Sequence, residues 1–477
     1  MRVADMSPIA GESPREIGRK SSIFCRSRKR LIVCSCCLFN SLVAVVLSSI
    51  VLGWQLAAKP TCDPQTIPEH LVPACAAINV LEKRWYEPWA GGWRGSEFWG
   101  SAHALQATID FMAASGSRNF AHLVAHVHTL RPKLVIIAMA DGSYDDALWW
   151  SNAYISAFEL LGGSSYLESG AGIFNEVYQR AWDETTCGGG LWWSSERKYK
   201  NAITNELALL AAVKLHSLTS EARYLKIARD IWSWFHASGM INWQHLVNDG
   251  LDSRCQNNGQ TVWTYNQGVI LGGLILLDAA VPNETMLEHA EQIAHAAVQN
   301  LVDSDGILQE DYLANSDGVQ FKGIFVRHLR LLVDSLPPNK AEQRAFFITF
   351  LQKNAKALLA HDETKDGTFG GDWNSPAQPE LLLTVQSSSA LRHSNHNKTT
   401  WQLTDPAQRV GSFCPQCASA AAQTSALDLL TAQPAVSAEP SSRGKGWFEG
   451  LLLSLRKGSL TLLRPLLHTF PSKHTAL

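Results

Sequence analysis

The chain has 477 residues, 46% of them hydrophobic, with 17 tryptophans and a formal net charge of −2. That is enough apolar material to bury a large core and leave indoles over for a binding surface. The charge excludes a nucleic-acid partner, because phosphate binding needs a basic field that the sequence lacks beyond its first thirty residues.

From the N-terminus, Arg2, Arg15, Arg19, Lys20, Arg26, Arg28, Lys29 and Arg30 outnumber Asp5, Glu12 and Glu16. An almost unbroken apolar run from Leu31 to Ala58 follows. At about 1.5 Å per residue that run is long enough to cross a hydrocarbon core, and the basic flank predicts a cytosolic tail with the rest of the chain luminal or extracellular. The competing reading, a cleaved signal peptide, fits less well because the run is too long and starts too late. Cys34, Cys36 and Cys37 fall at the cytosolic end of the span. Beyond it, Cys62, Cys75, Cys187, Cys255, Cys414 and Cys417 face an oxidising space, where disulfides are expected. Cys187 and Cys255 stand beside motif residues and are expected to pair, as are Cys62 and Cys75 across a short loop. Cys414-Pro-Gln-Cys417 is a lone CxxC without a second pair, so it reads as a local disulfide or as nothing. Asn283-Glu-Thr285 and Asn397-Lys-Thr399 are glycosylation sequons.

Apolar residues recur at helical spacing in Ser101–Ala114, Asp146–Leu161, Tyr166–Ala181, Asn201–Ser217, Glu221–Ser238, Trp263–Ala280, Glu284–Val302, Gln320–Leu336 and Lys340–Ala360. No comparable set of alternating strands is present. Asp141-Gly142, Asp249-Gly250, Asp305-Gly306 and Asp366-Gly367 punctuate these helices, with Cys187-Gly-Gly-Gly190 between the first two. The breaks recur about every forty to seventy residues, the length of a helical hairpin with its loops, so the pattern predicts an all-α repeat of about six hairpins.

Two adjacent carboxylates, Asp145 and Asp146, open the aromatic helix Asp146–Leu161. Such a pair is an ordinary helix-capping signal. It also supplies what glycosidic cleavage needs, one carboxylate that stays ionised and one acid that keeps its proton. With Asp145 at the N-cap, free N–H groups favour its charged form, while Asp146, beside a like charge and near Trp149 and Trp150, is expected to hold a proton. The neighbouring segments are rich in Trp, Asp and Asn, which suits sugars: indoles stack on C–H faces and amides and carboxylates bind hydroxyls.

The ordered segments Trp182-Asp-Glu-Thr-Thr-Cys-Gly-Gly-Gly-Leu-Trp-Trp193, Tyr199-Lys-Asn-Ala-Ile-Thr-Asn-Glu206, Val247-Asn-Asp-Gly-Leu251 and Thr264-Tyr-Asn-Gln-Gly268 resemble family 76 of the glycoside hydrolases, the α-1,6-mannanases of bacteria and related fungal cell-wall mannosidases or transglycosidases. The resemblance covers roughly residues 80–390 and resumes near Gln423-Thr-Ser-Ala-Leu-Asp-Leu-Leu430. It implies closure of the hairpins into an (α/α)6 toroid, with Asp145 as nucleophile and Asp146 as acid/base. Asp249 matches the family aspartate that binds sugar beside the cleavage point. Trp192, Trp193, Tyr265, Asn266 and Gln267 are further candidates for the substrate cleft, followed by Asn201, Trp99 and Tyr144.

The domain reading is then a basic cytosolic tail (1–30), a transmembrane signal-anchor helix (31–58), a luminal linker (59–79), a catalytic domain (80–431) and a low-complexity, amphipathic tail (432–477). The opening of the last inner helix is met twice, at Gln386–Leu391 and at Gln423–Leu430, which marks 392–422 as either an insertion or an artefact of the gene model. The expected activity is that of a retaining glycosidase or transglycosidase acting on α-1,6-linked mannan or mannose-containing glycans, with no cofactor. The alternatives are an (α/α)6 carbohydrate enzyme of other specificity and a non-catalytic mannan-binding wall protein. No metal is expected, since His236, His245 and His328 lack a ligand spacing.

Overall fold

The computed structural model describes residues 60–96, 98–139, 142–282, 284–310, 317–379, 414 and 416–434. The apolar run 31–58, the sequons at Asn283 and Asn397, the segment Gln386–Leu391 and the tail beyond 434 lie outside the described residues. No helix among the described residues is long and apolar enough to cross a membrane.

In chain order the elements are α1 (Val72–Arg84), the hairpin β1 (Tyr86–Glu87) and β2 (Gly92–Trp93), α2 (Phe98–Ser115), α3 (Ala121–Leu130), α4 (Lys133–Met139), α5 (Tyr144–Leu161), α6 (Ser164–Ala181), α7 (Ala202–Thr219), α8 (Ala222–Ala237), α9 (Thr264–Ala280), α10 (Glu284–Asn300), α11 (Gly318–Ser335), α12 (Ala341–Ala357) and α13 (Ala420–Thr431). The nine helices expected from periodicity are present with shifted ends. Sequence reading missed α1, α3 and α4. α3 and α4 are short and separated at Pro132, and the Leu-Val-Ile-Ile run of α4 has no polar face to betray a helix.

Helices alternate between two burial patterns. α7 is buried from Ala202 to Leu215 and α9 nearly all round, whereas α8 buries only a stripe that includes Tyr224, Ala228, Ile231 and Phe235. Helices apolar on every side belong inside and striped ones outside. Packing bears this out: α2 lies against α5, α5 against α7, α7 against α9, α9 against α11, α11 against α13, and α13 back against α2. Six inner helices thus close a ring, each preceded in sequence by an outer element. This is the (α/α)6 toroid.

Small residues let the wall close tightly. A Cβ on Gly268 would stand 2.6 Å from the Phe325 Cα, and one on Gly323 would stand 2.6 Å from the Ser425 Cα, so α9–α11 and α11–α13 meet backbone to backbone. Buried charge completes the closure. Asp428 on α13 meets His103 of α2 (Oδ2 to Nε2, 2.7 Å) and accepts two 2.8 Å hydrogen bonds from Arg327 Nη2 of α11. Arg327 also reaches Asp110 of α2 at 3.0 Å.

A second device recurs at the starts of the inner helices. The fourth residue of an inner helix grips the loop before it: Ser101 Oγ accepts from Trp93 N, Asn205 Oδ1 from Leu191 N, Gln267 Oε1 from Val247 N and Gln423 Oε1 from Phe369 N. Each loop held in this way contains a small β hairpin or bridge (Tyr86↔Trp93, Trp182↔Leu191, Ile241↔Val247, Glu363↔Phe369). The grip sets each loop at a fixed height above the N-terminus of its inner helix, and the cleft is built there.

Candidate active site

Inner-helix N-termini converge at one end of the ring, and their free N–H groups and positive dipole ends face the same space. The first turn of α5 brings Asp145 and Asp146 there, both partly buried. The N-cap is Ser143, in extended conformation, and not Asp145 as expected from the sequence. Asp145 Oδ1 accepts from the Asp146 backbone N–H at 3.1 Å, and Oδ2 accepts from Trp193 Nε1 at 3.2 Å.

The charge state expected of Asp145 also changes. Burial, and then the Asp146 carboxylate beside it, push the Asp145 carboxyl well above the ordinary aspartate range, against those two donors. Adjacent carboxyls this close titrate as a pair, and the pair holds a proton more firmly than an isolated aspartate does.

Trp193 reaches Asp145 through its own loop. Trp193 N donates to Tyr199 O (2.8 Å), and Tyr144 N, at the start of α5, donates to Trp193 O (2.7 Å). Beneath, the fully buried Lys200 donates from Nζ to the carbonyls of Asp183 (2.9 Å), Thr186 (2.6 Å) and Gly189 (2.6 Å) and lies 4.6 Å over the Trp192 ring. A triple glycine lets a ligand approach the backbone closely. The space is instead filled by Trp234: a Cβ on Gly190, whose φ is +92°, would lie 2.4 Å from that indole. Trp192 is 8% exposed and serves as the lid of Lys200, while Trp193, at 39%, faces the cleft.

The Asp249 loop is stitched to the same structure. Ala202 N donates to Asp249 O (2.8 Å), Leu251 N donates to Lys200 O (3.0 Å), and the Cys187–Cys255 disulfide joins the two loops. Cys62–Cys75 and Cys414–Cys417 are also bonded. Asp249 Oδ2 accepts from the Tyr199 hydroxyl and Oδ1 from Trp263 Nε1 (3.0 Å). Burial raises its pKa while the two hydrogen bonds oppose the rise.

Tyr265 occupies the middle. Its ring stacks on Phe321 at 3.9 Å, and burial followed by the charges of Asp249, Asp145, Glu206 and Glu310 holds its phenol well above the ordinary range, so it stays a donor. Four carboxyl groups thus act on one hydroxyl. Trp149 lies between Trp99 (5.6 Å) and Tyr265 (6.5 Å), and these rings with Phe321 form an aromatic floor.

Several expected contacts have other tasks. Gln267 is fully buried, with Oε1 held by Val247 N and Nε2 by Val247 O and Trp263 O, so it clamps a loop and does not reach substrate. Asn201 caps α7, accepting from Thr204 N. Trp99 and Tyr144 are 8% and 5% exposed and pack under the site. Asn266 is fully buried beside Tyr265, with no hydrogen-bond partner on either amide atom. Sequence reading did not single out Tyr199, Trp263 or Glu206 as site residues. Tyr199 and Glu206 bracket a motif segment, which was a usable signal. Glu310, which accepts from Thr264 N (2.9 Å) at the start of α9, lay in no motif.

Residues 76–404 match glycosyl hydrolase family 76. The mannan endo-1,6-alpha-mannosidase DCW1 of Eremothecium gossypii is 30% identical over 260 residues, 48% of this chain and 54% of the relative. The mannan endo-1,6-alpha-mannosidase DFG5 of Saccharomyces cerevisiae is 30% identical over 273 residues, 53% and 59% of the two. The chain therefore spans a little over half the length of these relatives. Among solved structures, an inactive variant of the alpha-1,6-mannanase GH76A of Salegentibacter sp. HEL1_6, in complex with alpha-1,6-mannotetrose, superposes with TM-score 0.61 at 20% identity, covering 77% of this chain and 99% of that one. Dfg5 from Chaetomium thermophilum gives 0.55 at 16% identity, covering 73% and 86%.

Proposed function

The chain belongs to glycoside hydrolase family 76, and on that premise we propose that its cleft cleaves or transfers α-1,6-linked mannosyl units with retention of configuration. The observation that carries the reading is the Asp145–Asp146 pair in the first turn of α5, where burial and the neighbouring Asp146 carboxylate hold the Asp145 carboxyl well above the ordinary aspartate range.

In the first half-reaction an Asp145 carboxylate oxygen bonds to the anomeric carbon as the glycosidic C–O bond breaks, and Asp146 gives its proton to the departing oxygen. In the second, water or an acceptor sugar hydroxyl attacks that carbon, loses its proton to Asp146 and releases Asp145 as carboxylate. The transition state is oxocarbenium-like and positive, so a site rich in carboxyl groups stabilises it. Trp193 supplies a hydrogen bond that aims the nucleophile and favours its ionised form against burial and the Asp146 charge. Asp249, fixed by Tyr199 and Trp263, is placed to bind sugar hydroxyls, and Tyr265 is placed to donate to them.

The apolar run 31–58 with its basic flank supports a second part of the reading, a single N-terminal span that tethers the enzyme with its catalytic domain outside the cytosol, near the wall glycans it processes. Three disulfides suit that compartment.

Incubating the full-length protein with α-1,6-mannotetraose while following anomers by NMR tests the activity. First-formed α product, abolished in Asp145→Asn and Asp146→Asn, is the expected result. First-formed β product, or undiminished turnover in either variant, refutes the assignment; turnover confined to another glycan favours a different specificity.

A further inference from the structure

The loop that holds Asp249 at its inner end carries a different feature at its outer tip. Trp243 is 86% exposed, the most exposed of the large hydrophobic side chains among the described residues. It does not sit on a slack loop. Asn242 Oδ1 accepts from Gln244 N (2.9 Å) and Leu246 N (3.1 Å), Asn242 Nδ2 donates to Asn248 Oδ1 (2.9 Å), and Ile241 bridges Val247. Gln267 then clamps Val247 from the inner wall. His245 is held at φ +60°, a conformation a β-carbon disfavours. The backbone is thus fixed with an indole turned to solvent.

Immediately beside Trp243, Gln244 and His245 form one lip of a pocket of about 340 Å³. The other wall is a stripe of α10 that includes Glu288, Gln292, Gln299 and Asn300. From Glu288 to Asn300 the stripe runs about 18 Å at the helical rise, long enough for several sugar units. Its walls are amides, imidazole and carboxylate, groups that exchange hydrogen bonds with hydroxyls. Ala296 is its one aliphatic lining residue, and no lysine or arginine lines it as in a phosphate site. An exposed indole next in sequence to the lip of a pocket lined by amides combines the two groups a sugar-binding surface uses, a flat apolar face and hydroxyl partners.

We propose that Trp243 and this groove form a second, non-catalytic binding site for linear α-1,6-mannan, which holds a stretch of polymer on the outer rim while another stretch occupies the cleft. The proposal rests on the mannan-active reading of the cleft. Both sites belong to one loop, with Asp249 at the inner end and Trp243 at the outer end, so a polymer held at the rim is delivered to the same side of the ring. A tetrasaccharide that fills the cleft does not need the rim.

The test uses the full-length chain. The catalytically silenced Asp145→Asn form, with and without Trp243→Ala or Asn300→Ala, is titrated with polymeric α-1,6-mannan by affinity electrophoresis, and turnover of the active forms is compared on polymer and on α-1,6-mannotetraose. We expect Trp243→Ala to weaken polymer binding about tenfold, the scale of one stacking contact. Asn300→Ala should weaken it less, and tetraose turnover should stay within about twofold, because the indole is exposed and its loss leaves the core intact. Polymer binding and polymer turnover unchanged in both variants, with mannan still cleaved, overturn the rim site alone. Absence of any mannan binding or turnover by the parent protein overturns the rim site and the mannan-active reading together. An equal loss on tetraose and polymer in Trp243→Ala also overturns it, because the indole would then belong to the cleft.

Discussion

Replacing Trp193 by Phe removes one donor from the nucleophile and leaves a ring of nearly the same width. Trp193 Nε1 lies 3.2 Å from Asp145 Oδ2. A hydrogen bond to a buried charged group contributes about 1.5–3 kcal/mol. Trp193 is 39% exposed, so water competes for both partners, and about 1 kcal/mol is the appropriate figure here. The interaction favours the ionised form, so its loss raises the Asp145 pKa by about 0.7 units, since a unit corresponds to about 1.4 kcal/mol. The nucleophile must be ionised when sugar binds, so the acid limb of kcat/KM should move up by that amount. Turnover should fall about fivefold on the acid side and less near the optimum. A pH–rate series on α-1,6-mannotetraose reads this directly. If the acid limb stays in place while kcat/KM falls equally at every pH, Trp193 acts by stacking on substrate and the electrostatic reasoning is wrong.

The remaining predictions concern what holds the site. Deleting Cys187–Cys255, which spans 68 residues, by Cys187→Ser with Cys255→Ser should cost about 4 kcal/mol on loop-closure grounds and slow turnover, as read by urea unfolding and activity of the double variant against the parent. Lys200→Met leaves three carbonyls without their donor, that of Gly189 buried and those of Asp183 and Thr186 partly so, and should cost about 2–4 kcal/mol in urea unfolding; unchanged stability refutes the clamp. His328 is buried, and desolvation followed by the Arg327 charge lowers its pKa to about 3. The unfolded chain therefore takes up a proton below about pH 6.5 that the folded protein refuses, so stability should fall as pH drops from there toward 3. His328→Gln should flatten that decline in thermal melts between pH 4 and 6.5.

The helices were legible because their apolar stripes recur at the helical period, and the toroid followed from the family motifs. What escaped was set by contacts distant in sequence. Nothing local distinguishes Gln267 as a loop clamp from Gln267 as a sugar ligand; the difference is Val247, twenty residues upstream. The aspartate pair was visible as a motif, but its protonation was assigned from an N-cap that belongs to Ser143, and the decisive influences are burial and mutual repulsion. The glycines at 188–190 announced a close approach without naming the partner, which is Trp234 and not a ligand.

The ion network that joins α13 to α2 and α11 makes completion of the fold a late event. Asp428 must find His103, 325 residues upstream, before the ring shuts. A chain emerging in order from N- to C-terminus has to hold five inner helices as an open crescent, with the flanks of α2 and α11 bare, until α13 arrives. Bare apolar flanks of that kind are what chaperones bind, and lesions near Asp428 should lower the amount of folded protein before they lower catalysis, as read by soluble yield against specific activity.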